Sequence, residues 1–274
     1  MERAMTEPES SPAAAETSPA NAYPRVDDYL DEPNEVDRWE RIGGQRREAF
    51  PASLEHGDPH FELDALLKAH LADSYVGSVD LKTRVSEEHE YASDTCLRQA
   101  GTDPATGTRY LERLVFEVVH KRSKKDTNDR ARGFASRGVR RQIGIFVSEK
   151  SVREWLTDLD NWGPPMDPNS SLEDPCLAVP LPLAALFDRE KADLAIARAL
   201  EAKENAAIVE MKERSRAQGQ ATALLTIMDS RGVVTDEATR QRVLATVDLT
   251  KLQRWLRRAA SATALYEIFG KDVN

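Results

Sequence analysis

The chain is expected to fold as an α/β (α+β) protein, with a mixed sheet flanked by helices and an all-α extension at its C-terminus. The first observation behind this is the order of apolar runs between residues 53 and 156, which read as helix, three strands, helix and two strands. The second is an abrupt change after Trp162, where a Pro-rich stretch gives way to text dense in Ala, Leu, Glu, Lys and Arg with no strand-like run.

The elements follow in order. Residues 1–24 are rich in Glu, Ser, Pro and Ala and too poor in apolar surface to offset the entropy of ordering, so they read as a disordered tail. Val36 to Pro51 reads as two short strands around Gly43-Gly44. HFELDALLKAHLADS follows, with Phe61, Leu63, Leu66, Leu67 and Leu71 near helical spacing. Strands are expected at Tyr75–Val85, Tyr91–Gln99, Tyr110–His120, Gln142–Ser148 and Ser151–Leu156, and a helix at Asp126–Ser136 that Gly138 stops. The domain division this implies is 25–162 for the sheet domain, 163–182 for an extended connector, 183–231 for a long charged helical region and 232–274 for a small helical module.

At 274 residues with net charge -9, the chain has room for a sizeable core but carries no overall basic coat. Contact with nucleic acid therefore requires a local patch. One exists between Lys121 and Arg141, where nine Lys or Arg face only Asp126 and Asp129. The two cysteines, Cys96 and Cys176, form no metal-binding spacing and no disulfide framework, which suits a reducing cytoplasm. The N-terminus lacks the pattern of a signal peptide, and no apolar run is long enough to span a membrane.

The chemistry-bearing stretch is Ser93 to Val147. It sets Asp94 in one strand-like run, Glu117 in the next and a basic helix behind them. Two carboxylates at neighbouring strand ends suit Mg²⁺ or Mn²⁺, and cations just downstream suit a phosphate.

These residues resemble the Uma-type family of restriction-endonuclease-like proteins, a branch of the PD-(D/E)XK nuclease superfamily, over Val36 to Trp155. RWERIGGQRREAFP is similar to the family's entry hairpin, SLEHGDPHFELDALLKAHL to its first helix with His56 leading, SDTCL to its PD strand and FEVVHKRS to its Glu strand. DTNDRARGFASRGV is similar to the helix that follows, with Asp126, Arg130, Phe134, Gly138 and Val139 at the family spacing. The resemblance implies a restriction-endonuclease-like fold and a metal-dependent DNA endonuclease. Asp94, Glu117 and the carbonyl of Val118 would be metal ligands, and the cationic role would fall to Arg130, at the family's helix Lys position, or to Lys121 at the strand end. His56 is a further candidate for the site, and Lys124, Lys125, Arg132, Arg137, Arg140 and Arg141 for phosphate contacts. Val119 stands two residues after Glu117, where the superfamily carries Lys, and Ser93 stands where the PD motif has Pro. An alternative follows from these departures: a nuclease fold without catalysis, serving as a nucleic-acid or protein-binding subunit. His60, His70 and His89 show no mutual metal-ligand spacing and read as surface residues.

In the extension, Ala192, Ala195, Ala199, Ala202, Ala206 and Val209 fall on a 3-4 spacing that reads as a weak coiled-coil seam. Gly232 closes a helix, Thr235 and Asp236 can start the next, Asp248 can cap the one after, and Leu252 to Trp255 form an LQRW element. This part resembles the C-terminal helical extension of transposase-associated nuclease-like proteins. Residues 183–274 are therefore expected to mediate homo-oligomerisation or hold a protein partner.

Overall fold

The computed structural model describes residues 39–48, 53–120 and 124–270. The tail read over residues 1–24, and Lys121, lie outside them. Contacts divide the chain into a unit ending at Arg189 and another beginning at Glu190.

The first unit opens with a hairpin of β1 (Trp39–Ile42) and β2 (Gln45–Glu48). Gly43 and Gly44 join them at φ 60° and 75°. Two successive positive φ values are what a type I′ hairpin turn requires, and side chains with a Cβ resist them. Helix α1 (Leu54–His70) follows and buries Leu63, Leu66 and Leu67. Phe61, expected on the same face, is 73% exposed. It sits two residues before Leu63, about 200° around the helix, so it points away from the leucines.

The sheet continues with β3 (Tyr75–Arg84), β4 (Glu90–Gln99) and β5 (Glu112–Val119). Helix α2 (Lys124–Arg137) then leads to β6 (Arg141–Phe146), β7 (Ser151–Leu156) and β8 (Asn161–Trp162). These strands make one mixed eight-stranded sheet in the order β2-β1-β4-β5-β6-β7-β8, with β3 also paired to β4. Strands β5 and β6 run parallel. A parallel neighbour needs a crossover, and α2 supplies it. Its Phe134 packs with Val139, Cys96, Val115, Val85 and Tyr91. Gly133 is required there, since a Cβ at that position would stand 2.8 Å from the Tyr91 ring.

The Pro-rich stretch read as a connector returns to this unit. It contains the short strands β9 (Ser171–Leu172) and β10 (Leu181–Pro182), paired with each other. The Ala72 amide donates to the Cys176 carbonyl (3.0 Å), the Ala178 amide donates to the His70 carbonyl (2.8 Å), and the His70 ring lies 3.0 Å from the Val179 carbonyl. Leu172 and Leu181 are fully buried. Proline makes this segment extended, but its apolar side chains still gain by leaving water, so it packs.

The second unit is helical: α3 (Arg189–Ala202), α4 (Ala206–Ser230), α5 (Glu237–Ala245), α6 (Leu249–Ala259) and α7 (Leu265–Phe269). Asp236 and Asp248 accept from the amides of Thr239 (2.8 Å) and Lys251 (2.9 Å), the caps expected of them. The alanine seam is interrupted at Lys203–Asn205, where Glu204 takes φ 52° and Asn205 caps α4. From Ala217 onward α4 buries Ala221, Leu224, Leu225 and Met228 in a core shared with Val243, Leu252, Trp255 and Phe269. Among the described residues, no helix is long and apolar enough to cross a membrane.

Candidate active site

Sheet register brings the two leading carboxylates together. Thr95 pairs with Phe116 across β4 and β5. Continuing that antiparallel register by one residue places Asp94 beside Glu117. Both are buried, at 5% and 2% exposure. The Val118 amide donates to Oδ2 of Asp94 at 2.6 Å, so that side chain is oriented by the backbone of the next strand.

Helix α1 pins this junction with two histidines one turn apart. His56 Nδ1 lies 3.0 Å from the Val118 carbonyl. A carbonyl can only accept, so Nδ1 carries the proton, and Nε2 of the same ring lies 3.7 Å from Oδ1 of Asp94. His60 takes the other arrangement. Its Nε2 donates to the Asp94 carbonyl at 2.8 Å and also lies 2.9 Å from Thr95 Oγ1. Thr95 gives its own proton to Asp64 Oδ1 at 2.6 Å, which leaves its oxygen to accept from His60. His56, His60 and Asp64 repeat every four residues and so share one face of α1. His60, read from sequence as a surface residue, is thus half-buried against the backbone of Asp94. An i, i+4, i+8 series of polar residues on the helix preceding the PD-like strand is the signal that would have found it.

Arg130 approaches from α2. It is 6% exposed, donates to the Ala92 carbonyl at 3.1 Å and to Glu40 of β1, and lies 5.2 Å from the Tyr91 ring centroid. Glu40 binds in two directions, accepting also from the Ala92 amide at 2.9 Å. Burial disfavours the Arg130 charge, but the carboxylates of Glu117, Glu40 and Asp126 outweigh it and hold the pKa above the usual arginine value. The guanidinium is therefore a fixed cation beside Glu117. Glu40, 90 residues before Arg130, was not among the residues singled out from sequence.

The other expected cations are distributed around this centre. Lys125 is exposed on α2. Arg132 pairs with Asp129 (2.8 Å) and Asp160 (2.7 Å), and Arg137 donates to the Arg84 carbonyl at 3.2 Å. Arg140 and Arg141 both reach Asp174, and Arg141 also pairs with Glu154 at 2.7 Å. Burial opposes ionisation of Asp174, yet hydrogen bonds from Arg140 and the Cys176 amide leave its carboxyl below the usual range. Much of the basic window is thus answered by carboxylates remote in sequence. His70 is buried, and His89 stacks on Tyr91 at 5.7 Å.

Among the described residues, no group of three or more His, Cys, Asp or Glu side chains is arranged to hold a metal ion. The donors gathered at the β4–β5 junction are two carboxylates and a main-chain carbonyl. An all-oxygen set of this kind fits a hard cation such as Mg²⁺ or Mn²⁺.

No protein-family model and no curated protein matches the chain. Among solved structures, the chain is similar to a candidate nuclease belonging to DUF820 from Anabaena variabilis ATCC 29413. The two are 14% identical, the match covers 60% of this chain and 98% of that one, and the TM-score is 0.47.

Proposed function

We propose that this chain is a metal-dependent endonuclease acting on DNA through Asp94 and Glu117. The observation that carries the reading is the cross-strand placement of these two buried carboxylates, with Val118 hydrogen-bonded to Asp94 between them. Asp94, Glu117 and the Val118 carbonyl would hold Mg²⁺ or Mn²⁺. Bound there, the ion would supply an activated water and neutralise charge on the phosphate. The chain's own residues do the rest. Asp94 keeps Oδ2 on the Val118 amide, while its Oδ1 lies 3.7 Å from His56 Nε2. His56 and His60 hold the β5 and β4 backbones on either side, so the two carboxylates stay in register. Arg130 supplies a permanent positive charge next to Glu117 and favours an anionic phosphate close by. Lys124 and Lys125, at the start of α2, would grip the neighbouring phosphates, and Lys121 would add to them. Residues 183–274 would hold a second copy or a protein partner, and a cytoplasmic setting fits the two reduced cysteines.

One observation favours a second reading, a nuclease fold kept as a binding subunit without catalysis. The cation at the helix position is an arginine whose guanidinium is committed to Glu40 and the Ala92 carbonyl, and Val119 occupies the strand position. Arginine holds its proton tightly and is a poor acid.

The test compares cleavage of plasmid and single-stranded DNA by wild type, Asp94→Ala and Glu117→Ala, with Mg²⁺ and with Mn²⁺. Metal-dependent cleavage that disappears in both variants supports the endonuclease. Metal-independent or equal activity in all three sinks it and leaves the binding subunit.

A further inference from the structure

Among the described residues, Asp94 takes part in neither ladder that flanks it. Against β3 the pairing of β4 runs Val79↔Thr95 and then Leu81↔Ser93, passing over Asp80 and Asp94, and against β5 it begins at Thr95↔Phe116. Asp80 stands at the gap with φ 48°, a left-handed backbone that costs a residue with a Cβ about 1–2 kcal/mol. Ladder hydrogen bonds are the usual restraint on a strand residue, and both registers leave Asp94 out. It is held by contacts of another kind: the Val118 amide on Oδ2, and His60 Nε2 on its carbonyl at 2.8 Å.

His60 does not act by itself. The same Nε2 lies 2.9 Å from Thr95 Oγ1, Thr95 donates to Oδ1 of Asp64 at 2.6 Å, and Oδ2 of Asp64 lies 3.7 Å from the ring nitrogen. A hydroxyl has one proton to give, and an ionised acceptor makes the shorter and stronger bond. By taking that proton, Asp64 leaves the Thr95 oxygen to accept from His60. Thr95 is 3% exposed and follows Asp94 directly, and successive strand side chains point to opposite faces. A grip on Thr95 from α1 therefore fixes the peptide joining the two residues and leaves the Asp94 carboxylate on the other face.

We propose that Asp64 is a positioning residue for Asp94, acting through Thr95 and His60 on the Asp94–Thr95 peptide. Its use rests on the reading of Asp94 as a site carboxylate, while the positioning itself belongs to the metal-free protein. A plain tie between α1 and the sheet accounts for the hydrogen bonds, but not for their convergence on the residue that both ladders leave out.

The experiment follows amide hydrogen exchange by ¹⁵N NMR in the metal-free, full-length protein, with the Val118 amide as reporter because its acceptor is Oδ2 of Asp94. Wild type is compared with Asp64→Leu and Thr95→Val, which break the relay, and with Asp64→Asn and Thr95→Ser, which keep an acceptor and a hydroxyl. Losing a hydrogen bond to a charged acceptor speeds exchange by about tenfold or more. That acceleration is expected at Val118 in the two breaking variants, with the amides of β6 unchanged, and with Val118 near wild type in the two conservative ones. Mn²⁺ affinity, read from the paramagnetic resonance of the free ion, is expected to fall in the same two variants by about tenfold, the lower end of what disturbing a ligand's own hydrogen-bond partners costs. Val118 unchanged in the breaking variants, Val118 and β6 accelerating together, no recovery in the conservative variants, or Mn²⁺ binding as tight in the breaking variants as in wild type would each overturn the role of Asp64. If Val118 responds as expected and wild type binds no Mn²⁺, the positioning stands and the metal-dependent reading falls.

Discussion

The interior at the β4–β5 junction and the interior of the helical second unit are built on opposite terms. The second is apolar: Ala217, Ala221, Leu224, Leu225, Met228, Val243, Leu252, Trp255 and Phe269 meet there, and Trp255 crosses Phe269 edge-on at 4.9 Å between centroids. The first buries Glu40, Asp94, Thr95, Glu117 and Arg130 within one small region. Apolar burial stabilises in proportion to area and needs no partner, while each buried charge costs desolvation that only a correctly placed opposite charge or hydrogen bond returns. The helical unit is therefore arranged for stability, and the junction keeps a costly arrangement whose use must lie elsewhere.

The comparison is broken most strongly by truncating each interior at its centre. Trp255→Ala is expected to destabilise the helical unit by about 3–5 kcal/mol, because the volume it leaves cannot be refilled. Trp255→Phe keeps most of that volume and is expected to cost far less. Urea unfolding followed by far-ultraviolet circular dichroism measures both, and equal effects of the two substitutions would show that the residue is not centrally packed.

Arg130→Met is expected to cost a similar amount, about 3–5 kcal/mol, for a different reason: it strands Glu40 and Glu117 without their cation. The distinction is a rescue. Adding Glu40→Gln to Arg130→Met removes one stranded charge and should recover part of the loss, whereas no second truncation rescues Trp255→Ala. Thiol labelling reports this unit well. Cys96 and Cys176 both lie in it, and burial pushes each thiol up to about 12. At pH 8 they should react with maleimide only as the unit opens, so labelling against urea gives its stability separately from the helical unit. Rapid labelling of the native protein would contradict the burial.

Much of this fold was legible in the sequence because it rests on local signals. Strands β3 to β7 follow their apolar runs, α2 stops at Gly138, and Asp236 and Asp248 cap where a short polar residue precedes a helical pattern. The pairing of Asp94 with Glu117 was legible for the same reason, as two short runs separated by a turn must lie side by side. What escaped depends on distant partners. Nothing near Arg130 announces Glu40, and nothing near His60 announces the Asp94 carbonyl. The segment 163–182 was misread because proline content reports extension, while its leucines report burial. The break at Lys203–Asn205 escaped since Lys, Glu and Asn each tolerate a helix, and only a positive φ at Glu204 interrupts it.

A smaller effect sharpens the contrast at the helix ends of the second unit. Asp248→Ala removes the acceptor for the Lys251 amide at the start of α6 and is expected to cost about 1 kcal/mol. Asp248→Asn keeps an acceptor there and should cost only a fraction of that. Both are read from urea midpoints of the same circular dichroism transition, and equal losses would assign the role to charge.

The smallest effect is expected two residues from one of the largest. Arg132 forms a two-bonded pair with Asp160, through Nε and Nη2 at 2.8 and 2.7 Å, and adds Asp129 at 2.8 Å, better geometry on paper than anything Arg130 makes. Its side chain is 49% exposed, however, and its partners are 41% and 56% exposed. Water already solvates these charges in the unfolded chain and still reaches them in the folded one, so the pair returns little. Arg132→Ala should cost about 0.2–1 kcal/mol, and the loss should shrink further in 1 M salt. Arg130→Met should lose nearly the same amount at either salt concentration, since ions do not screen a buried cluster. If instead both variants respond equally to salt, water reaches Arg130 and the junction is not the closed polar interior described above; if neither responds, burial is not what separates the two arginines of α2.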